Sequence, residues 1–275
     1  MPDRMFGYSR VRFGESRARR LSSHLSRGDR SMPAPMPAPA PAPVPPYAGP
    51  PGGPRLRSPA GLARATAVLL GLVVAADVFA CFADVLEVNV TGDIADGVVG
   101  SDLLGRADRA DTLYGASGIA QGTALVATAV VYLCWLWRVR VNAEVFDASR
   151  HRMGRGWTIG GWFCPIVNLW FPRRIVADTW EASAPWGARG GHGVVNAWWT
   201  VWLVGLFVGR FAFSSSRHAE TADELREAAK AMLVSDAVDI AAAVLAIVVV
   251  LRLTRMQERK VLSGELPTPL TPALG

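Results

Sequence analysis

The chain has 275 residues, 51% of them hydrophobic and 19% charged, with a net charge of +6 and a mean hydropathy of +0.23. Soluble domains average about 45–50% apolar and about 25% charged residues, so the composition leans toward a membrane protein. Three cysteines with no C-x-x-C spacing exclude a disulfide framework and a zinc ribbon.

Residues 1–30 hold eight arginines against Asp3, Glu15 and Asp29, with no apolar run of the kind a secretory signal needs. Lys230 and Lys260 are the two lysines, and this Arg-for-Lys usage reads as the coding bias of a high-GC bacterium, so the arginines alone say little about function. No aromatic stacking pattern accompanies them, which argues against a nucleic-acid partner. An Ala/Pro-rich run follows from Met32 to Pro54. Proline fixes φ and removes amide donors, so residues 1–60 are expected to form a disordered cytoplasmic tail. A translation start at Met32 or Met36 is an alternative origin for the Arg-rich piece.

From residue 62 the pattern changes. The runs 62–83, 116–137, 194–213 and 231–251 are long and apolar, interrupted by Arg64, Asp77, Arg210, Asp236 and Asp239. At 1.5 Å per residue each run reaches about 30 Å, the hydrocarbon thickness of a bilayer. Four transmembrane helices in an all-α bundle are therefore expected within a domain over 61–260, followed by a disordered tail over 261–275. The intervening segment 84–111 carries seven acidic residues and reads as a solvated outer loop.

A fifth apolar stretch, 157–172, is short and carries Gly160, Gly161, Pro165 and Pro172. It reads as a re-entrant or interfacial element, continued by an amphipathic helix that places Ile175, Val176, Thr179 and Trp180 on one face. If this stretch does not cross, Arg and Lys divide 15 to 5 in favour of the side holding both termini; if it crosses, they divide 11 to 9. The positive-inside rule selects four crossings, with both termini cytoplasmic in a bacterial plasma membrane.

All 10 tryptophans lie between Trp135 and Trp202, and an aromatic belt at the cytoplasmic interface is the expected reading, with a ligand-stacking cage as the alternative. Asn168, three residues after Pro165, is expected to satisfy carbonyls freed by that proline, or else to present a ligand contact. Arg173 and Arg174 at headgroup level point to anionic lipid. Ser117, Gln121, Thr128 and Tyr132 form a polar stripe expected to face the bundle interior. Gly118–Gly122 and Gly205–Gly209 are G-x-x-x-G patterns that suit close helix packing. The intramembrane charges Asp77, Arg210, Asp236 and Asp239 are expected to form an ion-pair network centred on Arg210, with a proton or cation pathway as the alternative.

The segment around Trp157, Gly161, Trp162, Pro165, Asn168, Pro172, Trp180 and Ser183, followed by Trp198-Trp199, resembles the signature of domain of unknown function (DUF) family 4328. These are uncharacterised bacterial, largely actinobacterial, membrane proteins. The resemblance spans roughly residues 62–255 and brings no activity with it. The four histidines have no metal-binding spacing, and there is no P-loop, G-x-S-x-G or dinucleotide fingerprint. No metal, cofactor or enzymatic activity is expected. The sequence thus favours a non-enzymatic membrane protein acting through lipid or unknown protein partners, with a small transporter or ion-conducting protein as the alternative.

Overall fold

In the computed structural model, residues 56–185 and 191–264 are described. Residues 1–55 of the tail expected over 1–60, and 265–275 of the tail expected over 261–275, lie outside them, while the last helix runs on to Leu262. Six α-helices follow in order: α1 Ala60–Ala95, α2 Ser101–Phe146, α3 Trp157–Phe163, α4 Phe171–Ser183, α5 Gly193–His218 and α6 Ala222–Leu262. Four of them, α1, α2, α5 and α6, are long and apolar enough to cross a membrane. The protein is an all-α, multi-pass membrane protein.

The long helices pack in the order α2–α1–α6–α5. The α5–α6 connection is three residues, closed by a capping box in which Thr221 and Glu224 exchange hydrogen bonds. Such a short link makes the two helices antiparallel neighbours. At the same end the expected solvated loop over 84–111 is almost entirely helical, because α1 and α2 run past the apolar spans and leave a turn of five residues. Gly97 sits in that turn at φ 75°, a backbone state that glycine adopts without strain. Arg106 and Asp93 pair across it at 2.7 Å. This end of the molecule is called the acidic end below.

At the other end, the hairpin end, α3 and α4 form a helical hairpin. The seven residues of α3 rise only about 10 Å, too little to cross. Pro165 interrupts the helix, a single 3₁₀ turn follows over Val167–Leu169, and Pro172 sits in the first turn of α4, where its missing N–H costs nothing. The face of α4 expected to lie among lipid headgroups is instead packed on protein: Ile175, Val176, Thr179 and Trp180 are buried against the other helices. Protein supplies the apolar surface that the interface was expected to supply.

The tryptophans also differ from an interfacial belt. Trp135, Trp180, Trp198 and Trp199 are buried, and Trp162 stacks edge-on against Trp199 and Trp202. Trp137, Trp157 and Trp170 remain on the outside, as a belt requires, and Trp186 lies outside the described residues. Each indole contributes a large apolar surface, and crossing rings gain edge-to-face attraction on top of burial, which favours a shared aromatic core.

The N-terminal edge of the packed region starts before residue 61. Arg57 donates its backbone N–H to Asn142 Oδ1 (3.2 Å), and Asn142 Nδ2 donates to the Arg57 carbonyl (2.8 Å). Leu56–Pro59 therefore belong to the folded part rather than to the tail expected over 1–60.

The two G-x-x-x-G patterns part company. A Cβ on Gly205 falls 2.6 Å from Asp239 Oδ1, and one on Gly209 falls 3.2 Å from Ser235 Oγ, so both glycines mark the α5–α6 contact. Gly118 and Gly122 have nothing within 4 Å. Gly205→Ala is therefore expected to lower thermal stability in detergent by about 1–3 kcal/mol, the usual scale of overpacking. Gly118→Ala should leave stability unchanged or raise it by up to about 1 kcal/mol through helix propensity. Paired melting curves of the two variants check this, and equal effects would contradict the packing.

Candidate functional site

The acidic residues of the long helices converge toward the acidic end. Asp77 and Asp84 are seven residues apart on α1, about two turns, and so share a face. Both point inward, with 4% and 1% exposure. From α2, Gln121 Nε2 donates to Asp77 Oδ1 (3.1 Å) and to Asp236 Oδ1 of α6 (3.0 Å). A side-chain amide carries two N–H groups, so one goes to each carboxylate. Asp239 lies one turn further along α6, within electrostatic reach of Asp77 and Asp236.

Two features of this cluster are chemically telling. The second oxygen of Asp77 is buried without a hydrogen-bond partner among the described residues. Asp84 Oδ2 is likewise buried without a hydrogen-bond partner among the described residues, and the carboxyl of Asp236 lies close beside it. Two buried carboxyl groups side by side repel when both are ionised, and a proton on one of them relieves that repulsion and supplies a donor.

Among the described residues no basic side chain forms an ion pair with the cluster. Arg210, expected as the counter-ion, is on the outside of α5, and among the described residues it has no ion pair. The physical reason is azimuth. Arg210 follows Gly209 by one residue, about 100° around the helix, so it turns away from the α6 contact that Gly205 and Gly209 make. The donor holding the carboxylates together is Gln121.

A graded approach leads outward from the cluster. Glu87 and Tyr114 are half-buried near Asp84, Asp111 is exposed beside Glu87, and Ser216 of α5 is near Tyr114. Toward the hairpin end the interior becomes apolar and aromatic, built from Leu70, Tyr132, Trp135, Ala246, Val250 and their neighbours. A cavity of about 380 Å³ lies at the far end, under Leu56–Pro59 beside Asn142 and Gln257, well away from the carboxylates.

The motif residues build the hairpin. Trp157 rests edge-on against Phe171 (5.0 Å between ring centres), and a Cβ on Gly161 falls 3.3 Å from Phe171 Cβ, so α3 packs closely on the start of α4. Trp162 stands perpendicular to Tyr132 of α2 at 5.5 Å and contacts Trp198, Trp199 and Trp202 of α5. The Pro165 turn is closed by the Asn168 backbone N–H donating to the Cys164 carbonyl (2.8 Å). The Asn168 side-chain oxygen is buried without a partner among the described residues; as an acceptor it cannot satisfy a carbonyl, a role only Nδ2 could fill. Arg173 donates twice to Asn196 Oδ1 of α5 (3.1 and 2.6 Å), which makes it an inter-helix tie, whereas Arg174 is exposed.

Sequence reasoning did not single out the amide network beneath the hairpin. Gln257 Nε2 donates to the Val139 carbonyl (2.8 Å) and to Ser183 Oγ (3.0 Å), its Oε1 accepts from Asn142, and Lys260 donates to the carbonyls of Ala182 and Ala184 at the end of α4. Gln257 and Lys260 are three residues apart in the charged run Arg252–Lys260 at the end of α6, so nothing in the sequence marks them out from their exposed neighbours.

A family model described as Domain of unknown function (DUF4328) matches residues 102–255, which include Gln121, the whole hairpin and both α6 aspartates. The chain belongs to the DUF4328 family. Neither a curated protein nor a solved structure matches this DUF4328 chain.

The link between α2 and the hairpin carries a titratable group outside the membrane spans. Burial, and after it the Arg140 guanidinium, push the His151 imidazole below its ordinary value, while Glu144 and Asp178 pull the other way. The folded protein then binds fewer protons here than the unfolded chain, so the contribution of this histidine to stability is full above histidine's ordinary value, near 6.5, and falls as pH drops below it. His151→Gln is expected to flatten the loss of thermal stability between about pH 7 and pH 5. An unchanged pH slope in that variant would contradict the assignment.

Proposed function

We propose that this DUF4328 protein is a non-enzymatic small transporter or ion-conducting protein that moves protons through the acidic end of its bundle. The observation that carries the reading is the buried carboxyl cluster in which Gln121 bridges Asp77 and Asp236, with Asp84 and Asp239 close by and no basic side chain paired with any of them among the described residues. An ionised carboxylate at mid-membrane costs at least about 2.5–3.5 kcal/mol on insertion scales, so such residues are retained where a cation meets them. A proton is the cation that two adjoining buried carboxyl groups can share without further ligands. The Glu87–Tyr114–Ser216 approach supplies exchangeable groups between the pair and the water at that end.

In this reading the membrane is the bacterial plasma membrane and both termini are cytoplasmic, which places the acidic end outside, in line with the 15-to-5 charge division. A lipid partner is a second reading, favoured by one observation: exposed Arg174 lies on the same hairpin as the exposed apolar residues Phe163, Ile166 and Trp170. That combination suits an anionic headgroup above acyl chains.

The test is proton flux in proteoliposomes. With an imposed pH gradient and a potassium–valinomycin clamp, vesicles with the wild-type protein should collapse the gradient faster than empty vesicles. Asp236→Asn and Asp84→Asn should each return the rate to that of empty vesicles. A sodium gradient in place of the pH gradient should drive nothing. Wild-type flux that persists in both Asn variants, or that follows sodium, would overturn the proton reading.

A further inference from the structure

The polar stripe of α2 does not end at Gln121. Thr128 and Tyr132 continue it inward, and Ser117, Thr128 and Tyr132 are all buried. Seven and eleven residues after Gln121, these two positions return to within about 20° of its azimuth. Trp135 follows, its indole N–H donating to Thr254 Oγ1 of α6 (3.0 Å), and then Asn142 with Gln257. Polar groups thus run along one interior line from the carboxylates to the hairpin end, with a break at the level of Tyr132.

At that break the Tyr132 hydroxyl and the Trp162 indole N–H are both buried with no hydrogen-bond partner among the described residues. The two rings are in contact, 5.5 Å apart and at 83°. Stranding two donors inside a protein costs on the order of 1–3 kcal/mol each, and a well-packed static core has no reason to carry that cost twice at one contact. Trp162 reaches this place from α3, a seven-residue helix on a hairpin whose tip residues Phe163 and Ile166 are 72% and 71% exposed. The rest of the bundle leaves a gap there, since α2 and α5 meet through aromatic side chains and Trp162 fills the space between Tyr132 and Trp202. The hairpin is fixed to α5 by few polar ties, namely Trp199 Nε1 to the Leu169 carbonyl (3.2 Å) and Arg173 to Asn196.

We infer that the α3–α4 hairpin is the inner gate of the proton route, with Trp162 as the residue that closes it. This rests on the proton reading above. With the hairpin seated, the carboxylates communicate with the acidic end alone. Withdrawal of Trp162 frees the Tyr132 hydroxyl and admits water between Thr128 and Thr254, which connects the carboxylates to the hairpin end. The groups facing the route are Asp77 and Asp84 on α1, Gln121 and Tyr132 on α2, Trp202 on α5, and Asp236, Asp239 and Thr254 on α6; Arg210 faces away.

The test separates the gate from the flux. A single cysteine is placed at Thr128 in a protein carrying Cys81→Ser, Cys134→Ser and Cys164→Ser, and the reconstituted protein is exposed from the hairpin side to a membrane-impermeant cationic methanethiosulfonate. The site should be protected with Trp162 present and become labelled in Trp162→Ala. Trp202→Ala, which removes the opposite wall and leaves the hairpin sequence intact, should give the same exposure if Trp162→Ala does not fold. In the flux assay Trp162→Ala should conduct faster than wild type, and adding Asp236→Asn should abolish the gain. Labelling already present in the Trp162 protein, absent from folded forms of both variants, or a leak that survives Asp236→Asn would overturn the gate. Loss of all Asp-dependent flux with the labelling pattern intact would instead remove the proton reading on which the gate rests.

Discussion

One side-chain amide organises the acidic half of this bundle. Gln121 gives one N–H to Asp77 and the other to Asp236, and so ties α1, α2 and α6 at a single point inside the apolar spans. A guanidinium at that place would neutralise the carboxylates permanently. An amide holds them without cancelling their charge, which leaves a proton to make up the balance. The close approach of α5 follows from the same arrangement: a Cβ at Gly205 would stand 2.6 Å from Asp239 Oδ1, so a side chain there would force the Asp239 carboxylate to move.

The two ends of the molecule solve different problems. At the acidic end polar side chains meet in ways that leave an oxygen unmatched or two acids facing each other. At the hairpin end Gln257, Asn142, Ser183 and Lys260 form a matched network beneath crossed tryptophans, while Tyr132, Trp162 and Asn168 each keep a buried polar atom without a partner among the described residues. The hairpin joins the two, since its base is anchored beneath α4 and its tip reaches the border between them.

Much of the architecture was legible in the sequence. Four apolar runs of bilayer length, and the prolines that break the segment after Trp157, translate almost directly into four long helices and a short hairpin. The polar stripe through Ser117, Gln121, Thr128 and Tyr132 was legible for the same reason, since helical periodicity fixes azimuth along one element. Azimuth between elements was not legible. Arg210 sits at a depth that suits pairing with Asp236 or Asp239, yet it turns about 100° away from the contact, and depth alone does not reveal that. Asp84 was read as the start of a loop because its charge ends the apolar run, whereas the helix continues and carries it inward on the face of Asp77. The tryptophans were assigned to an interface by their amphipathic chemistry, but the hairpin supplies protein surface at that level and takes up the rings. In each case the missing information was which neighbour a helix presents to a given face.

The central claim is that Asp84 and Asp236 share one proton. Infrared difference spectroscopy between acid and alkaline buffer reads it directly, through the carbonyl stretch of a protonated carboxyl group. The wild-type protein should show one such band that disappears reversibly as the pH rises, and the band should be lost in Asp84→Asn and equally in Asp236→Asn, because the proton belongs to the pair. A band that survives unchanged in both single variants would contradict the shared proton.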